Sequence, residues 1–128
     1  MTVGFTGTRA GMSPSQLKQL GYVLGVLRHA DRAVGRETVF VDGDCPAGGA
    51  DQEARAVAVT AGLRAEPMPA KKRTAEALLA RDREIVAASH ILVAAPRTDK
   101  EEVRSGTWYT VRRARDKEIP IVMLSRGT

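Results

Sequence analysis

Segments typical of β-strands alternate with segments typical of amphipathic helices along this chain, and this alternation limits its fold more than any other feature. Short apolar, β-branched runs predict five strands: Thr2–Thr6, Thr38–Val41, Leu63–Met68, His90–Ala95 and Ile119–Leu124. Helical spacing and capping signals predict four helices: one after Ser13 with an apolar stripe from Leu17 to Leu27, then Ala50–Ala61, Thr74–Ala88 and Ser105–Lys117. Strands separated by helices pair in parallel through right-handed crossovers. The sequence therefore predicts a doubly wound, three-layer α/β sandwich with a mainly parallel sheet of about five strands.

The composition fits a single domain over residues 1–128. The chain is 43% hydrophobic and 27% charged with a net charge of +5, as in globular rather than disordered or fibrous proteins. Its one cysteine excludes an intramolecular disulfide and a cysteine-rich zinc site. No apolar run approaches the roughly 20 residues that span a bilayer, and the first residues lack the pattern of a signal peptide. We therefore expect a cytoplasmic protein with no membrane partner.

Three loops that follow predicted strands are expected to carry the ligand site, because open parallel sheets bind ligands beyond the carboxyl ends of their strands. These loops span Gly7–Met12, Asp42–Gly49 and Pro96–Arg104. His29 and His90 fall at the opposite edge, so neither can act as a base for Cys45, which we expect to fill a tight loop. The same placement argues against a histidine-based metal site.

The first of these loops combines glycine with hydrogen-bond donors. Gly7 allows a close turn of the backbone, while Thr8 and Arg9 place a hydroxyl and a guanidinium at the sheet edge. Backbone N–H groups and an arginine arranged in this way can hold a phosphate. The loop matches neither the dinucleotide fingerprint nor the P-loop, so a tight turn without a ligand is the alternative.

The start of the fourth predicted helix is a second candidate for an anion site. Its opening residues are Arg104, Ser105, Gly106 and Thr107. The free N–H groups and the dipole of a helix start favour a phosphate, whereas capping by Ser105 alone is the simpler interpretation. Trp108, Val111 and Ala114 share one face of this helix and are expected to pack in the core.

Acidic residues near these loops allow several interpretations. Asp42 and Asp44 follow the second strand, where a carboxylate can accept hydrogen bonds from ribose hydroxyls. They could also hold Mg²⁺ through water together with a phosphorylated ligand, or stabilise a turn. Asp51 is expected in the first turn of a helix, where the dipole favours it. Glu101 or Glu102 could act as a general base, and a solvated acidic loop is the alternative.

Four short motifs occur in order along the chain: Gly4–Arg9, Gly43–Asp51, Ala80–Val86 and Arg104–Trp108. Together they resemble the SLOG superfamily, which groups Rossmann-like nucleotide-binding domains. That superfamily includes the Lonely Guy phosphoribohydrolases, the molybdenum cofactor carrier proteins and the DNA-processing protein A family. The resemblance covers nearly the whole chain and implies a Rossmann-like fold, a homo-oligomer, and a ligand with phosphate and ribose parts.

The resemblance also implies roles for particular residues. Gly7–Arg9 would lie on one phosphate side of the ligand and Gly106–Thr107 on the other. Arg81 matches an arginine that helps hold the nucleotide phosphate or sugar in the phosphoribohydrolases. From the loops and the resemblance together, the candidate ligand-binding residues are Gly7, Thr8, Arg9, Asp42, Asp44, Gly49, Arg81, Arg104, Ser105, Gly106 and Thr107.

One departure from the phosphoribohydrolase pattern bears on catalysis. Those enzymes carry Pro-Gly-Gly-x-Gly-Thr followed closely by a catalytic glutamate, whereas Thr107 is followed here by the sequence Trp-Tyr-Thr. Glu101 or Glu102 would have to replace the missing glutamate. We therefore expect a module that binds a nucleotide or a nucleotide-derived phosphorylated ligand at the carboxyl edge of the sheet, as a sensor or carrier.

Two alternatives remain. The first is an N-glycosidic phosphoribohydrolase that acts on nucleoside monophosphates, with an acidic residue activating water. The second is single-stranded nucleic-acid binding, which the basic stretches Lys71–Arg83 and Arg104–Lys117 favour. The supply of aromatic side chains, one Trp, two Tyr and two Phe, is small for stacking on bases, so this alternative is the weaker one. Apart from Mg²⁺ with a phosphorylated ligand, the sequence indicates no cofactor.

Overall fold

A parallel sheet organises the chain. The structure, a computed structural model, describes residues 1–46 and 48–127. Its strands are β1 (Thr2–Gly7), β2 (Val39–Val41), β3 (Arg64–Ala65), β4 (Ile91–Ala95) and β5 (Ile121–Met123). Its helices are α1 (Pro14–Ala33), α2 (Ala50–Thr60), α3 (Ala75–Ala88) and α4 (Gly106–Asp116). Every strand pair is parallel and the strand order is β3-β2-β1-β4-β5, which confirms the predicted α/β sandwich.

The middle strand, β1, is where the chain changes direction across the sheet. From β1 the chain moves outward through β2 to β3, and then crosses back to β4 on the other side of β1. Gly4 of β1 accordingly lies opposite Val41 of β2 and Leu92 of β4. Ligands of such sheets bind in the crevice beyond the carboxyl ends of the strands at this switch point. In this chain that crevice is bordered by the loops after β1 and β4.

Helices cover both faces of the sheet. One buried cluster joins β1 and β2 to α1 and α2, and its largest members are Phe5, Leu20, Leu24 and Phe40. A second cluster joins β4 to α3 and α4, with Ile85, Val86, Leu92 and Val111 at its centre. Trp108 is 4% exposed and packs in this second cluster with Val111 and Ala114. The predicted inward face of the fourth helix is therefore confirmed.

Local capping interactions fix where α1 begins. The Ser13 hydroxyl oxygen accepts the Gln16 N–H at 3.1 Å, and the Gln16 side-chain oxygen accepts the Ser13 N–H at 3.0 Å, which forms a capping box. Pro14 occupies the first turn, where no N–H is needed. Gln16 is fully buried, and its side-chain amide donates to the carbonyls of Pro96 and Leu124 at 2.9 and 3.1 Å. The start of α1 is thus tied to the ends of β4 and β5.

The edge strands are shorter than the sequence predicts. β3 has two residues rather than the predicted Leu63–Met68, and β5 has three rather than the predicted Ile119–Leu124. Pro67 has no N–H to donate, which is tolerated in an edge strand such as β3. On either side of it, the Glu66 N–H donates to the Phe40 carbonyl and the Met68 N–H donates to the Asp42 carbonyl, both at 2.8 Å. The chain after β3 therefore still runs along the end of β2 toward the carboxyl edge.

The first helix is longer than its leucine stripe predicts and continues past Leu27 to Ala33. Asp31 in its last turn is fully buried and accepts the Thr38 hydroxyl at 2.8 Å. This contact anchors the end of α1 beside the start of β2, at the amino edge of the sheet. None of the helices in residues 1–46 and 48–127 is long and apolar enough to cross a membrane.

Candidate functional site

Thr8, the first residue after β1, joins the loops at the carboxyl edge of the sheet. Its N–H donates to the Ala95 carbonyl at the end of β4, and its carbonyl accepts the Ala50 N–H at the start of α2, both at 3.1 Å. The same carbonyl accepts the Gly11 N–H at 3.1 Å, and the Thr8 hydroxyl accepts the Ala10 N–H at 3.2 Å. The loop after β1 is therefore a compact turn that is held against both β4 and α2.

Two glycines allow this close contact between the first loop and α2. A Cβ atom on Gly7 would lie 2.5 Å from the Ala50 Cβ, and one on Gly49 would lie 2.6 Å from the Arg9 carbonyl oxygen. Gly49 also has a φ of 79° and a ψ of −155°, a conformation that is almost confined to glycine. Gly7 and Gly49 are therefore explained by the close packing of the loop against α2, whether or not a ligand binds there.

Arg9 is an exposed cation beside an open helix start. Gly49 caps α2 but has no side chain to accept the N–H groups of its first turn. The Arg9 backbone lies against Gly49, and the Arg9 side chain forms no ion pair within the described part of the chain. The Ala50 N–H is already bonded to the Thr8 carbonyl. The site can therefore offer a guanidinium and the remaining N–H groups of the first turn to the same anion.

The start of α4 differs from that of α2. The Ser105 hydroxyl caps it by accepting the Trp108 N–H at 3.3 Å, so the simple capping role expected for Ser105 is present. Gly106 is exposed, and the nearest atom to a Cβ there would be an Asp82 carboxylate oxygen at 3.9 Å. Thr107 is 6% exposed, whereas Arg104 is exposed. At this helix start, Gly106 and Arg104 are exposed and Ser105 is half-buried, so these groups are accessible to a ligand.

The carboxylates after β2 are engaged by an arginine that sequence analysis missed. Arg55 of α2 contacts both oxygens of the fully buried Asp42, at 3.0 Å from Nε and 2.7 Å from Nη2. The same Nη2 donates to Asp44 at 2.7 Å. A ribose hydroxyl or Mg²⁺ would have to displace this guanidinium to reach the Asp42 oxygens, whereas the Asp44 side chain is 34% exposed. Within the described ranges, no three His, Cys, Asp or Glu side chains are grouped to hold a metal ion.

Arg81 links the loop after β2 to α3. One guanidinium nitrogen donates to the Gly43 carbonyl, and Nε donates to an Asp82 carboxylate oxygen at 3.0 Å. A Cβ on Gly43 would overlap the guanidinium, so glycine is required for this contact. The Arg81 side chain is 13% exposed. The structure therefore gives Arg81 a structural role at the site and leaves only its edge accessible.

Asp51 is a buried carboxyl group at the start of α2. It is 8% exposed and accepts the Cys45 N–H at 3.3 Å. Burial, and then the nearby Asp42 carboxylate, raise the pKa of Asp51 to about 6, whereas Arg81 opposes the shift. The folded chain thus holds this proton more tightly than the unfolded chain does. The associated stabilisation is complete below the ordinary pKa of 3.8 and is lost as pH rises through about 6.

Glu101 and Glu102, the candidate general bases, lie in ion pairs. Glu101 accepts hydrogen bonds from Arg115 at 2.9 Å and from Arg112 at 3.2 Å, and these arginines lower its pKa. Glu102 pairs with Arg97. A carboxylate with a lowered pKa is a weak general base. This arrangement gives no support to a hydrolytic role for either glutamate.

The two histidines and the surface crevices lie away from the carboxyl edge. His90 accepts the Thr2 N–H at 2.9 Å at the amino end of β1, and His29 lies near the end of α1. Crevices of about 490 and 360 Å³ open between α1 and α2. Their lining is mostly small and apolar, with Arg28, His29, Arg32 and Thr60 as its polar side chains. They contain neither a glycine loop nor a helix start, so the carboxyl edge stays the candidate site.

Arg126, near the end of the chain, is a second contributor that sequence analysis missed. One of its guanidinium nitrogens donates to the Gly11 carbonyl at 2.8 Å and to the Gln16 side chain at 3.2 Å. Its backbone N–H donates to Asp99 in the loop after β4 at 3.0 Å. Arg126 therefore joins the loops after β1 and β4. No local pattern in the sequence indicates a contact between residues so far apart along the chain.

Comparison with known proteins extends this description. No protein-family model matches the chain, and no curated protein matches it by sequence. The X-ray structure of DNA processing protein A (DprA) from Streptococcus pneumoniae is similar, with a TM-score of 0.71 and 20% identity over 95% of this chain. The two proteins share a fold. The chain spans 49% of the length of that structure. The similarity confirms a Rossmann-like fold of the kind that the sequence resemblance implied.

Proposed function

We propose that this protein binds a nucleotide or a nucleotide-derived phosphorylated ligand at the carboxyl edge of its sheet, as a sensor or carrier. The chief support is Arg9, which is exposed, lacks an acidic partner within the described ranges and lies against the start of α2, where no side chain caps the helix. A phosphate at this point would receive a charge-assisted hydrogen bond and backbone N–H groups together. The exposed Gly106 at the start of α4 would admit a second anionic group of the same ligand.

Binding without hydrolysis is the better interpretation of the acidic groups. The ion pairs of Glu101 and Glu102 occupy both candidate bases, and Asp42 is bound by Arg55. A phosphoribohydrolase would need a carboxylate that is free to activate water. Assembly into a homo-oligomer and a cytoplasmic location stay predictions, and sedimentation would test the first.

Single-stranded nucleic acid is a second candidate ligand, favoured by the charge of this edge. Besides Arg9, exposed cations without an acidic partner in the described ranges include Lys71, Lys72, Arg73, Lys100 and Arg104. The pairing of Met68 with the end of β2 brings Lys71–Arg73 to the same side of the sheet as Arg9. The fold is shared with a protein that is named for DNA processing. Affinity for an oligonucleotide that falls steeply with salt would support this candidate.

Fluorescence of Trp108, the one tryptophan of the chain, provides the test of the proposed function. The residue lies in the first turn of α4, and its backbone N–H donates to the capping Ser105 hydroxyl, so its fluorescence reports on this loop. AMP, GMP, ribose 5-phosphate and ADP-ribose are titrated beside adenosine. We expect a saturable change with phosphorylated compounds and none with the nucleoside. If none of them changes the fluorescence or raises the melting temperature at millimolar concentration, the proposed function is wrong.

Replacement of Arg9 by alanine is expected to weaken binding of AMP. A charge-assisted hydrogen bond contributes about 1.5 to 3 kcal/mol, which corresponds to a loss of about 10- to 100-fold in affinity. Because Arg9 is exposed and has no acidic partner among the described residues, the melting temperature should stay close to that of the wild type. Arg32→Ala, at an exposed cation of the amino edge, is the matched control and should bind normally. Unchanged affinity in Arg9→Ala would remove Arg9 from the site.

Replacement of Gly106 by valine is expected to abolish binding while the chain still folds. The position has open space around its Cβ, with the nearest atom at 3.9 Å. Two added methyl groups would instead obstruct an anion that approaches the helix start. Calorimetric titration with ADP-ribose measures the loss, and circular dichroism checks the fold. If Gly106→Val binds ADP-ribose as tightly as the wild type does, Ser105 and Gly106 start the helix and have no part in binding the ligand.

A further inference from the structure

Asp51 lies directly beside the proposed anion site. It follows Ala50, whose N–H donates to the Thr8 carbonyl at 3.1 Å. The Cβ of Ala50 packs against Gly7, since a Cβ on Gly7 would lie only 2.5 Å from it. The Asp51 carboxylate points to the loop after β2, where it accepts the Cys45 N–H at 3.3 Å. It also lies close to Gly43, where an added Cβ would be 3.0 Å from the Asp51 Oδ2. An anion at the start of α2 would therefore share this small region with a buried carboxyl group.

The charged groups around Asp51 already have other partners. From β2 and its loop come Asp42 and Asp44, and from α2 itself comes Arg55, which binds both of those aspartates. From α3 come Arg81 and Asp82, which bind each other while Arg81 also holds the Gly43 carbonyl. The Cys45 thiol lies in the same loop. Asp51 itself has no ion pair with any described residue.

This balance of charge leaves Asp51 without a cation of its own. Four carboxyl groups, those of Asp42, Asp44, Asp51 and Asp82, face two guanidinium groups. Burial of Asp51 favours its neutral form, and a further negative charge nearby would favour that form more strongly, because Coulomb repulsion is weakly screened in a buried site.

We propose that the site binds its anionic ligand together with one proton, which Asp51 takes up from solvent. The added proton converts the Asp51 carboxylate to a neutral carboxylic acid. Because Asp51 then has no negative charge, it no longer repels the bound anion. This inference rests on the proposed function, because it concerns the same ligand at the same site. It makes Asp51 a positioning and charge-matching residue, and affinity for the anion should rise as pH falls.

ADP-ribose is the probe for this proposal, because its two phosphates keep a fixed charge, whereas the terminal phosphate of AMP titrates near pH 6. If the bound anion raises the pKa of Asp51 by about one unit, the affinity for ADP-ribose at about pH 5 exceeds that at about pH 8 by about tenfold. Calorimetry near pH 6.5, in two buffers of different ionisation enthalpy, measures the proton uptake in the wild-type protein directly and needs no variant.

The variant Asp51→Asn separates this residue from the other buried carboxyl groups, such as Asp82, whose pKa burial also raises. Its affinity for ADP-ribose should be independent of pH and should equal that of the wild type at low pH, with no proton uptake. Asp116→Asn, at an exposed position of α4, is the control and should retain the wild-type pH dependence. If the wild-type protein binds ADP-ribose without taking up a proton, this proposal is wrong and the proposed function stays intact. Failure of ADP-ribose and the nucleotides to bind at any pH would overturn both.

Discussion

Replacement of Arg55 by methionine is expected to lower the free energy of unfolding by about 3 to 5 kcal/mol, because it leaves a buried charge without its partner. Arg55 contacts both carboxylate oxygens of Asp42, whose side chain is completely buried. Methionine keeps an unbranched apolar stem and removes the charged guanidinium with its donors. Urea unfolding at neutral pH measures the change.

Arg64→Met is the matched control for this prediction. Arg64 pairs with Glu37 at 3.0 Å, but the two side chains are 53% and 64% exposed. An exposed pair of this kind contributes about 0 to 1 kcal/mol, so the control should unfold close to the wild type. Equal losses in the two variants would mean that Asp42 is not held by Arg55 as the structure describes.

Replacement of Gly49 by alanine is expected to cost about 3 kcal/mol or more, since two penalties combine. The backbone conformation of Gly49 is strained for any residue with a side chain, and the added Cβ would lie 2.6 Å from the Arg9 carbonyl oxygen. Relief of that overlap must move the Arg9 backbone. The variant should therefore lose stability in urea unfolding and lose ADP-ribose binding as well.

Gly25→Ala shows what the same substitution does at an unconstrained glycine. Gly25 lies inside α1 with no atom within 4 Å of its Cβ position, apart from its own helix and neighbours. Alanine should stabilise the chain there by about 1 kcal/mol through its higher helix propensity. A Gly49→Ala variant with wild-type stability would contradict the contact between the loop after β1 and α2.

The fold could be predicted from the sequence because its signals are local. The apolar run of β1, the capping box of Ser13 and Gln16 and the stripe of α4 each indicate their element within a few residues. Parallel pairing then follows from the alternation of strands and helices. The end of β3 is less predictable from the sequence, because the strand ends at Ala65 while the N–H groups of Glu66 and Met68 still donate to the segment of β2.

The candidate site could be predicted only in its position. Topology alone brings the loops that carry Thr8, Asp42 and Gly106 to one edge of the sheet. The partners of the charged groups depend on contacts between distant segments. The spacing of Asp51 and Arg55 is typical of an ion pair within a helix, but Arg55 reaches across to Asp42 and Asp44 instead. This leaves Asp51 buried without a cation.

The location of the ligand tests the central claim most directly. Backbone amide resonances of the ¹⁵N-labelled protein are followed while ADP-ribose is added. We predict saturable shifts at Gly7–Arg9, at Asp51 and at Gly106, which border the carboxyl edge, and no shifts at Arg28–Arg32 beside the crevice of α1. Shifts confined to that crevice, or none at any residue at millimolar ligand, would contradict the assignment of the site to the carboxyl edge.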